Sequence, residues 1–247
     1  MKVALITGGN RGIGKNTALN SAKRGMGVIL TYRSHAEEAQ AVVDEIEKNG
    51  GKARALKLDI SDTSSFPSFI EEVKKSLKEV WNRNDFDALV NNAGFGGREL
   101  ILETSEDYLD ELYKVHIKGP FFLTQKLYPL FKEGGSIVNI SSGLTRFTYE
   151  GTSAYAMMKG AVEVFTRSLA KEFSAKKIRV NTVAPGAIDT DFGGGKNEAF
   201  KNFVASQTAL GKIGDAEDVG IFIASLLSDD SRFVNAQRIE ISGGIHL

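Results

Sequence analysis

The 247-residue chain has no cysteine, which excludes a disulfide framework, a thiolate nucleophile and any cysteine-ligated metal. It has no excess of charge: 31 basic residues stand against 31 acidic ones, so no global field draws it to nucleic acid or to an anionic membrane. No apolar run approaches membrane-spanning length. The opening residues Met1-Lys2-Val3-Ala4-Leu5-Ile6 run straight into a buried-strand pattern, without the apolar stretch and small-residue cleavage site of a secretory signal. Nothing repeats at a fixed period, and no Pro-rich or Ser-rich linker divides the chain. These absences make a soluble, cytoplasmic, metal-free protein of one domain the expectation, with neither nucleic acid nor membrane as partner.

Apolar residues make up 42% and charged residues 25%, enough to bury a sizeable core. Short apolar runs alternate with longer amphipathic stretches, the pattern of βαβ units around a parallel sheet. Strands are expected at Val3 to Thr7, Val28 to Tyr32, Ala53 to Leu58, Ala88 to Asn91, Ser136 to Ser141, Arg179 to Val183 and Arg238 to Ile241. Helices are expected at Gly14 to Arg24, Ala36 to Asn49, Phe66 to Val80, Ser105 to Leu130, Ala154 to Ser174 and Ala216 to Leu227. The strands' nearly unbroken apolar character indicates burial on both faces. The fold class is therefore α/β, a doubly wound seven-stranded parallel sheet with helices on both faces. One irregular stretch stands out, Pro185 to Leu210 with Gly193-Gly194-Gly195 inside it; it reads either as a lid over a site or as an ordinary loop.

Gly8, Gly12 and Gly14 follow the first strand and open the first helix. Glycine there lets the backbone approach a pyrophosphate, and a helix amino end favours negative charge. Three residues separate the first two glycines, so the common G-x-G-x-x-G spacing is not matched. Further along, Tyr155 and Lys159 stand at i and i+4 on an expected helix and share a face. A cation beside a phenol favours the phenolate, which would lower the Tyr155 pKa and make it a general acid and base. Standing alone, the pair reads first as a half-buried tyrosine above a surface lysine. Ser142, at the carboxyl end of the fifth strand, lies on the edge where open α/β sheets bind ligands, and its hydroxyl can meet a substrate carbonyl. Its neighbour Ser141 has the same chemistry, and either serine also suits a turn.

Taken together, Thr7-Gly8-x-x-x-Gly12-x-Gly14, Asn91-Asn92-Ala93-Gly94, Tyr155-x-x-x-Lys159, Asn181-Thr182-Val183-Ala184-Pro185-Gly186 and Ser242-Gly243-Gly244 resemble the short-chain dehydrogenase/reductase family. The likeness covers essentially the whole chain and is greatest to the branch of 3-oxoacyl-carrier-protein reductases and related carbonyl reductases. The resemblance implies one dinucleotide-binding Rossmann domain over residues 1–247, with the lid at about 185–210. It implies an oxidoreductase in which hydride passes from a nicotinamide to a carbonyl carbon while Tyr155 protonates the oxygen, Ser142 polarises it and Lys159 also holds the nicotinamide ribose. The family interval selects Ser142 over Ser141. It also places Gly8, Asn10, Arg11, Gly12, Ile13 and Gly14 on the phosphates, Asp59 and Ile60 beside the adenine, Asn91 to Gly94 along the ribose, and Pro185, Gly186, Ile188 and Thr190 near the carboxamide end. Asp59 has the alternative of capping a helix.

One position departs from the family. An asparagine is usual in a Val-Asn-x-x-Gly context, and here the stretch is Val115-His116-Ile117-Lys118-Gly119. His116 has two ring nitrogens with which to maintain a proton relay, at the expense of its own titration near neutral pH; a packed structural histidine is the other reading.

Cofactor choice is legible at Thr31-Tyr32-Arg33-Ser34. No carboxylate is present to accept from ribose hydroxyls, while Arg33 and Arg11 are placed to pair with a 2′-phosphate. NADPH is expected over NADH. Phe95, Gly143 to Ser153 and Phe192 suggest an apolar substrate pocket, with Arg146 either meeting an acidic group or merely exposed. The substrate is then a 3-oxoacyl thioester, or a small ketone, sugar or aromatic carbonyl. A cofactor-binding regulator without turnover is the reading from another class. The family further implies a homodimer or homotetramer assembled through the two long helices.

Overall fold

Strand β1, Val3–Ile6, is buried at all four positions, which an apolar run achieves only between two covered faces. The computed structural model describes residues 1–192 and 198–247. Its main sheet adds β2 (Gly27–Tyr32), β3 (Ala53–Lys57), β4 (Phe86–Asn91), β5 (Phe131–Ile140), β6 (Arg179–Pro185) and, last in the chain, β9 (Arg238–Ile241). Two short strands, β7 (Ile188–Asp189) and β8 (Gly214–Asp215), pair separately. The seven strands run in the order β3-β2-β1-β4-β5-β6-β9 and every pairing is parallel. Register is set across the centre by Ala4 opposite Val28 on one side and Ala88 on the other.

Alternation along each strand divides the core. Leu5, Ile29, Leu89, Ile137 and Val180 pack on one face with α3 (Phe66–Trp81) and α5 (Gly119–Leu127), through Phe69, Val73, Leu123 and Leu127. Ile6, Val28, Leu30, Val90, Val138 and Val183 pack on the other with α1 (Gly12–Lys23), α2 (Ala36–Lys48) and α8 (Ala216–Leu227). Successive residues of a strand point to opposite faces, so one apolar run supplies both layers. The expected doubly wound fold is the observed one, and the chain is one α/β domain. No described helix is long and apolar enough to cross a membrane.

Two expected elements differ. The helix expected over Ser105 to Leu130 is broken into α4 (Glu106–Tyr113), a π turn (Lys114–Lys118), α5 and a 3₁₀ turn (Tyr128–Leu130). Pro120 has no N–H to offer the carbonyl one turn earlier, and a wider π turn absorbs the mismatch. The second difference lies in the stretch Pro185 to Leu210, which contains β7 and α7 (Glu198–Gln207) and so is not irregular throughout. Gly193-Gly194-Gly195, singled out in the sequence, lie outside the described residues.

Candidate active site

The carboxyl ends of the strands open on one cleft of about 880 Å³, beside the point where the order reverses between β1 and β4. Its floor on the amino-terminal side is the glycine turn. Thr7 Oγ1 donates to the Val90 carbonyl and accepts from the backbone N–H groups of Asn92 and Ala93 at 2.9 and 3.0 Å. Asn92 Nδ2 donates to the carbonyls of Thr7 and Gly8. Gly12 has φ +55°, and a Cβ on Gly14 would lie 2.1 Å from the Gly8 carbonyl oxygen, so no side chain fits there. α1 begins without a side-chain cap and without an acid in its first turn. An uncapped, uncountered helix amino end is a fit for a pyrophosphate.

At the end of β2, Tyr32, Arg33 and Ser34 line the same cleft, as does Arg11. The Arg11 and Arg33 side chains are exposed, and neither guanidinium pairs with an acid among the described residues. A phosphate-sized anion at this end therefore meets two uncommitted cations. Asn10 Nδ2 donates to Glu38 Oε2 at 2.7 Å. Sequence reading missed Glu38, which sits six residues past the β2 end in the first turn of α2; its carboxylate orients Asn10.

Of the residues expected to hold a cofactor, Gly8, Asn10, Arg11, Gly12, Ile13, Gly14, Tyr32, Arg33, Ser34, Asp59, Ile60, Asn92, Ala93, Gly94, Pro185, Gly186, Ile188 and Thr190 line the cleft. Asn91 does not. Its side chain turns inward, donating to Thr124 Oγ1 and Asn139 Oδ1, because the last residue of a fully buried strand faces the helix layer on that face. Asp59 Oδ1 accepts from the N–H and hydroxyl of Ser61, a local turn.

Ser142, Tyr155 and Lys159 meet at the centre of the cleft. The i, i+4 spacing on α6 (Ser153–Glu172) puts Lys159 Nζ 5.5 Å from the centre of the Tyr155 ring. Nζ donates to the Ile140 carbonyl at 2.8 Å, and Lys159 is 5% exposed. Burial holds the Lys159 ammonium down to about 7. The expected lowering of Tyr155 is not what the structure gives: burial raises the phenol above its ordinary value, and the hydrogen bond with Ser142 opposes that rise. In this dry pocket desolvation dominates, and the neighbouring Tyr108 adds to the rise. The structure also separates the two serines. Ser141 Oγ is engaged by Glu163 Oε1 at 2.7 Å, whereas Ser142 Oγ accepts from Leu144 N–H and faces Tyr155.

His116, in the π turn, lies edge-on to Tyr155 with ring centres 5.4 Å apart. Nε2 stands 2.7 Å from the Phe95 carbonyl; a carbonyl only accepts, so Nε2 carries the proton and Nδ1 is left as a buried acceptor without a partner among the described residues. Burial first, and the neighbouring Lys159 charge second, push His116 down to about 3. The expected titration near neutrality is thereby corrected: the ring stays neutral. A small chamber of about 10 Å³, bordered by His116, Asn91 and Lys159, lies behind it.

Arg146 is exposed and its charge is engaged within the chain. Its Nε and Nη2 hold both oxygens of Glu240 at 3.0 and 2.7 Å, and its Nη groups donate to the carbonyls of Ile245 and His246. Arg238 joins Glu240 to Glu163, which also accepts from Thr145. This network, with the Tyr149 hydroxyl 2.7 Å from His246 Nε2, pins the loop after Ser142 to the carboxyl terminus. Glu163, four residues after Lys159 on the same face of α6, is its hub; that spacing is the one hint the sequence carries.

The fold and this cluster define a short-chain type oxidoreductase. A family model described as enoyl-(acyl carrier protein) reductase matches residues 8–246, and the chain belongs to the short-chain dehydrogenase/reductase family. It is 33% identical to the 3-oxoacyl-[acyl-carrier-protein] reductase FabG of Staphylococcus aureus, over 100% of this chain and 98% of that one. Among solved structures it is similar to the promiscuous reductase LugOII, which catalyses keto-reduction at C1 during lugdunomycin biosynthesis, with a TM-score of 0.95, 35% identity and coverage of 100% and 98%. It is also similar to the angucycline C-6 ketoreductase LanV with bound NADP, with a TM-score of 0.94, 32% identity and coverage of 98% and 95%.

Proposed function

We propose that this chain reduces a carbonyl group to an alcohol with NADPH, using Tyr155 as general acid. The observation that carries the reading is the convergence of Ser142, Tyr155 and Lys159 beside a phosphate-fitting turn in one cleft. Bound there, NADPH supplies the hydride for the carbonyl carbon. The glycine turn and α1 hold its pyrophosphate, Arg11 and Arg33 its 2′-phosphate, and Lys159 its nicotinamide ribose. Ser142 Oγ donates to the substrate oxygen and Tyr155 hands it a proton. Burial serves this direction, since a phenol kept protonated is ready to donate. The bound NADP of LanV and the missing acid at the end of β2 support the choice of dinucleotide.

NADPH and NADH oxidation, followed by absorbance over a carbonyl panel, tests the reading. Arg33→Ala is expected to raise KM for NADPH about tenfold, the worth of one charge-assisted phosphate contact, and to leave KM for NADH nearly unmoved. Equal effects on the two cofactors would remove Arg33 from 2′-phosphate recognition, and binding without any oxidation would remove the reductase.

His116 is assigned a positioning role: neutral, with Nε2–H on the Phe95 carbonyl and Nδ1 left to accept a hydrogen bond, it orients a water in the chamber it borders with Lys159. Its chamber has about the volume of one water. His116→Asn is expected to keep the pH profile over roughly pH 5 to 9, because a histidine that titrates far lower leaves no limb there, whereas His116→Ala lowers kcat about tenfold. A new limb near neutrality in the wild type that disappears in His116→Asn would contradict this.

The segment 185–210 is assigned as a lid, supported by Phe192, whose ring centre lies 5.9 Å from that of Tyr155. A homodimer or homotetramer is supported by exposed Tyr113, Phe121 and Val164 on α4, α5 and α6, and light scattering reads the assembly.

A further inference from the structure

The cleft around Tyr155 is walled by rings. Phe95 lies 5.7 Å from His116, His116 5.4 Å from Tyr155, and Tyr155 5.9 Å from Phe192. Tyr108 backs the series, edge-on to Phe95 at 6.3 Å. On the loop after Ser142, Phe147 and Tyr149 stand 5.6 Å apart, edge to face. Phe95, Phe147, Tyr149 and Phe192 all line the cleft. Two glycines make room for them: a Cβ on Gly96 would come within 2.9 Å of the Phe192 ring, and one on Gly143 within 2.9 Å of Phe147. These bare backbone positions seat rings beside the catalytic tyrosine.

The cation on the loop after Ser142 is committed, and the exposed Arg98 keeps only a ring contact among the described residues. Arg146 is held by Glu240 and two carboxyl-terminal carbonyls, and the Arg98 guanidinium lies 5.8 Å from the Tyr149 ring centre. An acyl thioester on an anionic carrier is a flexible aliphatic ligand that gains from an open apolar groove and a free cation at its mouth. Ring faces and edges instead favour a rigid flat ligand, since each stacked or edge-on pair is worth about two- to tenfold in binding and a flat ring loses little freedom.

We infer, resting on the reductase reading above, that the substrate is a flat ketone fused to an aromatic ring, held by the rings of Phe95, Phe147, Tyr149 and Phe192, and not a carrier-bound acyl thioester. The full chain with NADPH, assayed with 2-tetralone and with acetoacetyl-coenzyme A, tests this. The expected kcat/KM is at least about tenfold higher for 2-tetralone. Phe192 is 46% exposed, so Phe192→Leu folds; it is expected to lower the 2-tetralone to acetoacetyl-coenzyme A ratio by about fivefold, with Phe192→Tyr restoring it. Phe147→Leu, checked for unchanged Tm, is expected to act in the same direction. A preference for the thioester, or a ratio unmoved in both leucine variants, would overturn the substrate class while leaving the reductase standing. NADPH binding, read by fluorescence, without turnover of either ketone would overturn the reductase reading and this one with it.

Discussion

Tyr155→Phe is expected to lower kcat/KM for carbonyl reduction by about 10³-fold, which corresponds to about 4 kcal/mol of lost transition-state stabilisation. The substitution removes one oxygen and keeps the ring that packs against His116 and Phe192, so the fold and the cleft walls persist. What disappears is the proton that must reach the carbonyl oxygen as hydride arrives at carbon. Burial keeps that proton on the phenol at rest, and Ser142 alone is an inadequate acid, because a serine hydroxyl has no cation to relay through. Dinucleotide affinity, measured by fluorescence, is expected to change far less than kcat. Turnover retained within about tenfold would mean that the proton comes from elsewhere and would move the role to Ser142.

The second large effect belongs to Lys159. Its amine sits against the Ile140 carbonyl in a pocket where burial holds it down to about 7. The sign follows directly. Below about 7 the amine is charged, supports Tyr155 and resupplies its proton; above that point the charge is lost. The kcat/KM for reduction is therefore expected to fall with rising pH past that point, by about tenfold per pH unit until another path takes over. Lys159→Met is expected to lower kcat about 10²-fold and to flatten this limb. Arginine does not repair it, since a planar guanidinium needs more donors satisfied than one carbonyl in a dry pocket provides. An unchanged alkaline limb in Lys159→Met would assign it to a different group.

The sequence was informative where chemistry is local. Gly8, Gly12 and Gly14 announce a turn by their position after an apolar strand, and Tyr155 with Lys159 announce a shared face through helical spacing alone. Most of the seven strands were legible because a strand buried on both faces writes an unbroken apolar run; their order in the sheet came from the structure. Helix interruption was not: the π turn at Lys114–Lys118 arises from Pro120, and amphipathic spacing passes through it unaltered. Nor was α7, whose short pattern lies after the glycines at 193–195.

By itself the sequence determined the α/β fold, the phosphate turn, and the identity of the candidate catalytic residues. Tertiary structure decided which serine faces the tyrosine, that Asn91 turns into the core and away from the cleft, and that Arg146 is bound to Glu240, 94 residues away in the chain. It also decided protonation: His116 stays neutral, Lys159 is poised near 7 and Tyr155 is raised. The physical reason is common to all of these. Residue type and spacing fix geometry within a strand or a helix turn, but a pKa and a hydrogen-bond partner depend on how much water is excluded and on which distant groups folding brings within a few ångströms.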